Sequence, residues 1–483
     1  MPQPSTSPIL LWFRKDLRLA DNLALASAVD SGRPVVAVYI REPEDAGTGP
    51  LGAAQSWWLH HSLSALSAAL SGVGSRLTLA SGDAGVVLHR LIAQTAATAV
   101  YWNRRYDPAG IAIDSALKAS LVAKDIEVRS FAGQLLHEPS RLKTKTGGPY
   151  RVYTPFWRAI EAAGDPHEPF DAPSKIAAPC SWSESETLET WKLLPTRPNW
   201  AQEFSGLWVP GEVGALARLN AFVDGALDGY KAGRDLPAKP ATAMLSAHLA
   251  MGEIAPARVW HAVRGLTETV DAADSIHFRK ELVWRDFCYH LLYHSPNLSS
   301  ANWNPRFDTF AWRDDPDGFR RWTKGQTGYP IVDAGMRQLW RHGIMHNRVR
   351  MIAASFLIKH LLIDWRQGER WFRDTLVDAD PASNSANWQW VAGSGADASP
   401  FFRIFNPLLQ GEKFDPEGAY VRKFVPELEK LDATYIHRPF DAPESVLSAA
   451  GITLGSTYPR PIVDLGFGRD RALAAFKALP ARG

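Results

Sequence analysis

Three short stretches place polar and aromatic side chains where a plain core helix would carry apolar ones. In Phe278-Arg-Lys-Glu-Leu-Val-Trp-Arg-Asp286, Glu281, Trp284, Arg285 and Cys288 fall at i, i+3, i+4 and i+7, so they share one helix face. Such a face either binds something or belongs to a half-exposed helix with an ordinary Glu–Arg pair. Met345-His-Asn-Arg-Val-Arg-Met351 opens the second stretch. Asn347, Arg350 and Met351 share a face there, while the chain onward to Trp365 is strongly apolar. A helix buried that deeply carries Asn and Arg only if they are paired or hold a ligand, and a structural salt bridge satisfies the first case. The third stretch is Asp378-Ala-Asp-Pro-Ala-Ser-Asn-Ser-Ala-Asn-Trp-Gln-Trp390. Asp380-Pro381 reads as an N-cap followed by Pro at the first helical position. Asn384 and Trp388 are one turn apart, and Trp390 sits roughly 200° further round at about 100° per residue. Two indoles on one short helix thus point to different places, which suits a site with two neighbours or two separate packing roles. Finally, Thr242-Ala-Met-Leu-Ser246 precedes a helical run and offers two hydroxyls and several backbone N–H groups. That is a phosphate cradle or simply a helix cap.

Indoles recur along the whole chain, 19 in 483 residues. Large apolar cores and partner-binding surfaces use tryptophan in this way, and so do stacking on bases and electron transfer between rings. Lys and Arg total 53 against 51 Asp and Glu, so no global basic signature exists. The balance disfavours a histone-like coating role and leaves room for a local basic groove. Cys180 and Cys288 alone support neither a disulfide framework nor a zinc or iron–sulfur cluster, so no metal is expected. The first residues, Met1-Pro-Gln-Pro-Ser-Thr-Ser7, show no basic region followed by an apolar one. No apolar run approaches the ~20 residues that span a bilayer. The expectation is a cytoplasmic protein with no membrane association.

The elements that must position these residues fall into three segments. At about 150 residues per domain, the length implies two to four domains. Over residues 1–131, Pro8–Phe13 and Pro34–Ile40 read as buried strands, with weaker strands at Arg76–Ala80, Ala99–Trp102 and Ile126–Ser130. Helical patterns lie between them at Leu23–Val29, Ala53–Leu70 and Gly85–Thr95. This alternation predicts an α/β domain with a doubly wound parallel sheet, which binds ligands outside the carboxyl ends of its strands. The run Arg14-Lys-Asp-Leu-Arg-Leu-Ala-Asp-Asn22 replaces the Gly-rich turn of a dinucleotide fold, and no Walker-type loop is present. Residues 132–210 are rich in Pro and Gly and read as a long connector with one helix near Phe156–Ala163. Residues 211–483 read as all-α, with helices at Glu212–Gly229, Ser246–Leu266, Ala273–Leu292, Ile331–His342, Asn347–Trp365 and Glu369–Leu376.

Taken together, these segments resemble the photolyase/cryptochrome family from Trp12 to the C-terminus. The resemblance rests on Trp12-Phe-Arg-Lys-Asp-Leu-Arg-Leu-Ala-Asp-Asn-Leu-Ala-Leu25, Thr327-Gly-Tyr-Pro-Ile-Val-Asp-Ala-Gly-Met-Arg-Gln-Leu339 and Met345–Met351. It rests above all on the run from Asn387-Trp-Gln-Trp390 through Pro400-Phe-Phe-Arg-Ile-Phe-Asn-Pro407 to Gly411-Glu-Lys-Phe-Asp415. It implies an antenna-binding domain over 1–131, a connector over 132–210 and a helical FAD-binding catalytic domain over 211–483.

The FAD pocket implied by the resemblance includes Tyr230, Thr242, Ala243, Met244, Leu245 and Ser246 near the pyrophosphate. Arg285, Asn347, Arg350, Asp378 and Asp380 would lie around the isoalloxazine and ribityl chain, with Arg350 and Asp378 paired and Asn384 facing flavin N5. Where the family's cradle often has Ser-Arg, this chain has Ala243-Met244, so backbone donors would replace a side-chain contact. Trp388, Trp365 and Trp312 match the photoreduction triad. Arg234, Glu281, Trp284, Asn347, Met351 and Trp390 match the lesion pocket, with Glu281 on a thymine and the indoles as walls. The implied activity is that of a carbon–carbon lyase, deoxyribodipyrimidine photo-lyase. In it an electron from excited, reduced FAD splits a cyclobutane pyrimidine dimer flipped out of UV-damaged DNA.

Asn384 matches the repair enzymes, where plant cryptochromes carry Asp and insect ones Cys, and the chain lacks a long tail after the helical domain. Glu281 and Met351 favour the cyclobutane dimer over the (6-4) product, and the overall likeness is to the bacterial class III branch. Methenyltetrahydrofolate is the expected antenna, with Glu42, Trp58 and Asp107 near it. Ala109-Gly110 stands where the well-known folate-binding enzymes carry Asn-Glu, so the site would be built differently. A monomer is expected. The alternative is a blue-light receptor whose flavin change a partner reads. A dark flavin oxidoreductase would need a nicotinamide or small-substrate motif, and a simple DNA-binding module would not explain the polar face at Asn347–Met351.

Overall fold

Ile9-Leu-Leu-Trp-Phe13 has no polar side chain to turn toward water. In the computed structural model, which describes residues 7–43, 51–266, 270–398 and 402–480, it is the central strand β1 of a five-stranded sheet. The other strands are β2 (Val35–Arg41), β3 (Leu77–Ser81), β4 (Ala99–Asn103) and β5 (Glu127–Phe131). They run parallel in the order β3-β2-β1-β4-β5, and Ile9 pairs with Val35 on one side and Ala99 on the other. Helices α1 (Leu23–Asp30), α2 (Ala53–Gly72), α3 (Ala84–Thr95) and α4 (Pro108–Val122) connect the strands. Asn22, Asp83 and Asp107 cap α1, α3 and α4 with their side-chain oxygens. β1 is buried on both faces, which is why its sequence is a continuous apolar run without alternation.

The polar run after β1 is a staple. Arg18, only 1% exposed, donates to the carbonyls of Gly252, Asp21 and Gly133, and Asn103 donates to Asp16 and Asn22 at 2.7 and 2.8 Å. Further on, Glu186 and Ser185 hydrogen-bond along β3 and cover its edge. Helix α5 (Tyr153–Ala163) starts three residues before the expected Phe156.

The helical region is more broken than its periodicity suggests. The stretch expected as Glu212–Gly229 is α6 (Glu212–Ala221) followed by a π turn at Phe222–Ala226. The stretch expected as Ser246–Leu266 is two helices, α7 (Ser246–Met251) and α8 (Pro256–Arg264), because Gly252 turns left-handed at φ 69° and Pro256 restarts the helix. Helix α9 spans Ala272–His294 and α10 Pro330–His342. The expected helix Asn347–Trp365 is α11 (Asn347–Ser355), a π turn at Phe356–His360 and a break at Leu362, with φ 61°. Trp365 therefore opens the next helix, α12 (Trp365–Thr375), behind an Asp364 cap. Helix α13 is Pro381–Ala392, with Asp380 as its N-cap.

The chain divides into two compact units. One runs to Trp200 and adds Ser205–Asp228 and Ala243–Pro296; the other holds Ala201–Phe204, Gly229–Thr242 and the chain from Asn297 on. These units cut across the segments 1–131, 132–210 and 211–483, since α7, α8 and α9 group with the sheet. In the second unit α10 to α13 enclose a core of Trp322, Phe356, Trp365, Phe372 and Trp388. Pro400 and Phe401 of the long C-terminal motif, and Met1–Thr6, lie outside the described residues.

Candidate functional site

In the first unit, α9 carries Glu281, Trp284 and Arg285 half-buried on one side, with Cys288 turned into the core. Arg285 donates to the carbonyl of Gln134 at 2.7 Å and to that of Leu249 at 3.4 Å, which ties α9 to α7. Next to it Asp286 accepts both the Leu136 and His137 N–H groups on a single oxygen, at 2.9 and 3.1 Å. Burial pushes its carboxyl up to about 7, against the opposing pull of Arg285 and the two N–H donors. Trp284 has a partner that the sequence reading missed. Tyr153 stacks on it with centroids 3.7 Å apart and planes 3° from parallel. The signal was present in the aromatic spacing Tyr150, Tyr153, Phe156, Trp157, but it fell in a stretch read as connector.

The candidate cradle has a distinctive backbone. Met244 is left-handed at φ 53°, Leu245 is right-handed at φ −91° and ψ −8°, and α7 begins at Ser246 with no side-chain cap. A left-handed residue followed by a right-handed one turns successive N–H groups toward one point, a nest suited to an anion. A bulky residue at positive φ marks local strain held by its surroundings. Directly behind, Trp58 donates to Glu253 at 2.9 Å, His248 shares the same carboxylate, and all three side chains are fully buried. Of the three residues expected near an antenna, Trp58 thus turns its indole N–H to this buried carboxylate. Glu42 and Asp107 are brought together at the carboxyl ends of β2 and β4 through Arg105, which bonds Glu42 at 2.6 Å and lies 3.9 Å from Asp107.

In the second unit, Arg350 makes an ion pair with Asp378 at 2.9 Å and donates to the Met345 carbonyl at 2.7 Å. Asn347 is exposed at the start of α11, and Met351 is half-buried one turn on. His346 caps α11, and burial brings its imidazole down to about 4, with Asp235 opposing and Arg350, Arg234 and Arg348 adding to the shift. Arg234 lies over the ring of the buried Tyr230, 5.6 Å from its centroid, and Thr242 is half-buried.

Asp380 accepts the Ser383 N–H at 2.7 Å and so starts the helix that carries Asn384, Trp388 and Trp390. Asn384 directs its amide nitrogen to the Glu369 carbonyl and carboxylate at 3.0 and 2.9 Å. Glu369, 2% exposed and bound to Arg373 at 2.7 Å, is a second residue that spacing did not single out. Trp388 packs edge-on against Phe372 at 4.9 Å, and Trp365 is fully buried with its N–H on Asn302 at 3.0 Å. Trp312 and Trp390 lie partly buried against the cluster that holds both. Trp312 also packs on Phe310 at 4.4 Å.

In the first unit the backbone nest suits an anion such as a pyrophosphate. In the second, a partly buried ion pair and an amide of set orientation adjoin a core that holds several indoles. Among the described residues, no group of three or more His, Cys, Asp or Glu side chains could hold a metal ion, and no helix is long and apolar enough to cross a membrane.

Two family models match separate parts of the chain. The model of the FAD binding domain of DNA photolyase matches residues 278–478, and that of DNA photolyase matches residues 9–174. A deoxyribodipyrimidine photo-lyase of Agrobacterium fabrum is 66% identical over 98% of both chains. Cryptochrome-1 of Arabidopsis thaliana is 37% identical over 96% of this chain and 69% of its own. The crystal structure of a bacterial class III photolyase from Agrobacterium tumefaciens superposes with a TM-score of 0.96 at 66% identity, covering 99% of this chain and 98% of that one.

Proposed function

The chain belongs to the photolyase/cryptochrome family, and from that premise we propose that it is a deoxyribodipyrimidine photo-lyase that uses light to repair cyclobutane pyrimidine dimers in DNA. The observation that carries this reading is the 66% identity to a photo-lyase along the length of both chains. When bound, FAD supplies light absorption and the electron that splits the dimer's cyclobutane ring. The chain's own residues bind, orient and shield.

Met244, Leu245 and Ser246 would hold the pyrophosphate through backbone N–H groups, and Tyr230, Thr242 and Ala243 are further candidates for the same cofactor. Arg285, Asn347, Asp380 and the Arg350–Asp378 pair border the flavin. Asn384 presents its amide oxygen to it, because Glu369 can only accept hydrogen bonds and therefore takes the nitrogen end. Glu281 hydrogen-bonds a base of the lesion, Trp284, Trp390 and Met351 wall it, Asn347 borders it, and Arg234 meets the DNA backbone. Trp388, Trp365 and Trp312 would supply the route by which electrons reach a bound flavin.

The protein belongs to the class III branch and works as a cytoplasmic monomer without a metal. Methenyltetrahydrofolate is its antenna, near Glu42, Trp58 and Asp107. The cryptochrome relative at 37% identity favours one second reading, a blue-light receptor. Mixing the photoreduced protein with an oligonucleotide that carries one thymine cyclobutane dimer separates the two. Repair under blue light, absent in the dark and absent on a (6-4) oligonucleotide, is the expected result. Normal flavin reduction with repair of neither lesion would overturn the enzyme reading in favour of the receptor.

A further inference from the structure

The phenol of Tyr153 and the indole of Trp284 face each other at 3.7 Å with planes 3° apart. Aromatic pairs usually keep their centroids about 4.5–7 Å apart, so a parallel stack this close is held from outside. Three contacts hold it. The Tyr153 hydroxyl donates to the Lys280 carbonyl at 2.7 Å, the same carbonyl that receives the Trp284 N–H within α9. Phe287 stands edge-on to both rings, 5.9 Å from Tyr153 and 5.7 Å from Trp284, each at 73°. Phe156, one turn along α5, packs against Phe287 at 5.2 Å. Tyr153 is buried while Trp284 stays half-buried.

We propose that Tyr153 is a positioning residue for lesion binding: it closes one face of Trp284 and fixes the ring plane, leaving the opposite face as the one on which a nucleobase stacks. This rests on the reading of Trp284 as a wall of the lesion pocket. A ring at 3.7 Å leaves no room for a base on its own side, so stacking is confined to one direction. An indole already held in that plane has little rotamer freedom left to lose when the base arrives. The effect of Tyr153 therefore passes through Trp284 and appears in affinity, not in the splitting of a dimer already bound.

The test is dark binding of the dimer-bearing oligonucleotide by the FAD-loaded protein, followed by repair per absorbed photon at saturating oligonucleotide. Tyr153→Leu is expected to weaken binding about tenfold, the scale of one base–aromatic stack, and to leave the repair yield of bound dimer unchanged. Tyr153→Phe keeps the ring and is expected to stay within about threefold of the parent. Trp284→Ala is expected to weaken binding at least as far as Tyr153→Leu, and adding Tyr153→Leu to it changes nothing more. Tyr153→Met gives the same reading if the Leu variant does not fold. Additive losses in the double variant, or a Phe variant as weak as Leu, would overturn the positioning role while leaving the lesion pocket intact. A Trp284→Ala variant that binds the dimer as tightly as the parent removes Trp284 from the pocket, and the role of Tyr153 falls with it.

Discussion

Asn384 points its amide nitrogen at Glu369, 2.9 Å from the carboxylate and 3.0 Å from the carbonyl of the same residue. Both acceptors demand a donor, so the orientation of the amide is decided by a residue one helix away. Arg373 holds the carboxylate in turn. Glu369→Gln replaces the acceptor with a group that can face Asn384 by either end. The repair yield per absorbed photon is expected to fall about fivefold, the equivalent of roughly 1 kcal/mol for one hydrogen bond. An unchanged yield would show that the Glu369 carbonyl alone keeps the orientation of Asn384 and the carboxylate is dispensable.

Gly368 makes room for Trp388. A Cβ added there would lie 2.2 Å from the far edge of the indole and 2.7 Å from Leu357. Gly368→Ala is therefore expected to cost about 1–3 kcal/mol in stability, read as a lower thermal midpoint. Displacing Trp388 is also expected to slow photoreduction of oxidised flavin while leaving dimer binding intact. Photoreduction at the parent rate, in a variant whose midpoint has dropped, would separate the seat of this indole from the electron route.

The strands were legible because β1 and β2 are buried on both faces and show as unbroken apolar runs. The same property hid the breaks among the helices. Around Phe356–His360 every side chain is buried, Lys359 and His360 included, so no exposed face exists whose drift would betray the π turn or the break at Leu362. Gly252 and Pro256 did mark a helix boundary in the sequence, but the apolar spacing on either side read as continuous. Within the candidate site, Arg350, Asn384 and Trp388 stood out because polar or bulky groups in apolar helices demand partners, and Asp378 through the family resemblance. Glu369 and Tyr153 did not, since each acts on a residue of another helix and looks ordinary on its own.

Asp286 sets a pH dependence whose sign is opposite to that of the usual carboxylate. Its folded value of about 7 lies above the ordinary 3.8, so the folded state holds a proton that the unfolded chain releases. The stabilisation is complete below about pH 4 and is lost as pH climbs through about 7, a change on the order of a few kcal/mol. His290 and His346, both near 4, act the other way, since theirs is lost as pH falls from 6.5 toward 4. Asp286→Asn isolates the first effect. Both backbone donors use the one oxygen that an amide would keep. In denaturant titrations the variant should match the parent near pH 4 and exceed it at pH 8. Parallel curves for the two proteins would mean that Asp286 does not titrate in this window.

Gly252 joins the cradle helix to the staple after β1 with no space to spare. At φ 69° an added Cβ would lie 1.9 Å from the Lys15 carbonyl oxygen and 2.7 Å from the Asp16 Cα. These are backbone atoms, which cannot swing aside as a side chain would. The carbonyl of Gly252 receives Arg18 at 2.9 Å, and that of Met251 receives the Leu17 N–H at 3.3 Å. Gly252→Ala must therefore push α7 and its nest away from the loop, at a cost above about 3 kcal/mol. Gly32 supplies the control, because it has the same φ of 69° and nothing within 4 Å of an added Cβ. Gly32→Ala should cost only the left-handed penalty of about 1–2 kcal/mol and retain FAD in full. Thermal midpoints and FAD bound per purified chain compare the pair directly. Equal midpoints and equal FAD content would mean that the staple yields to the added methyl and does not hold the cradle in place.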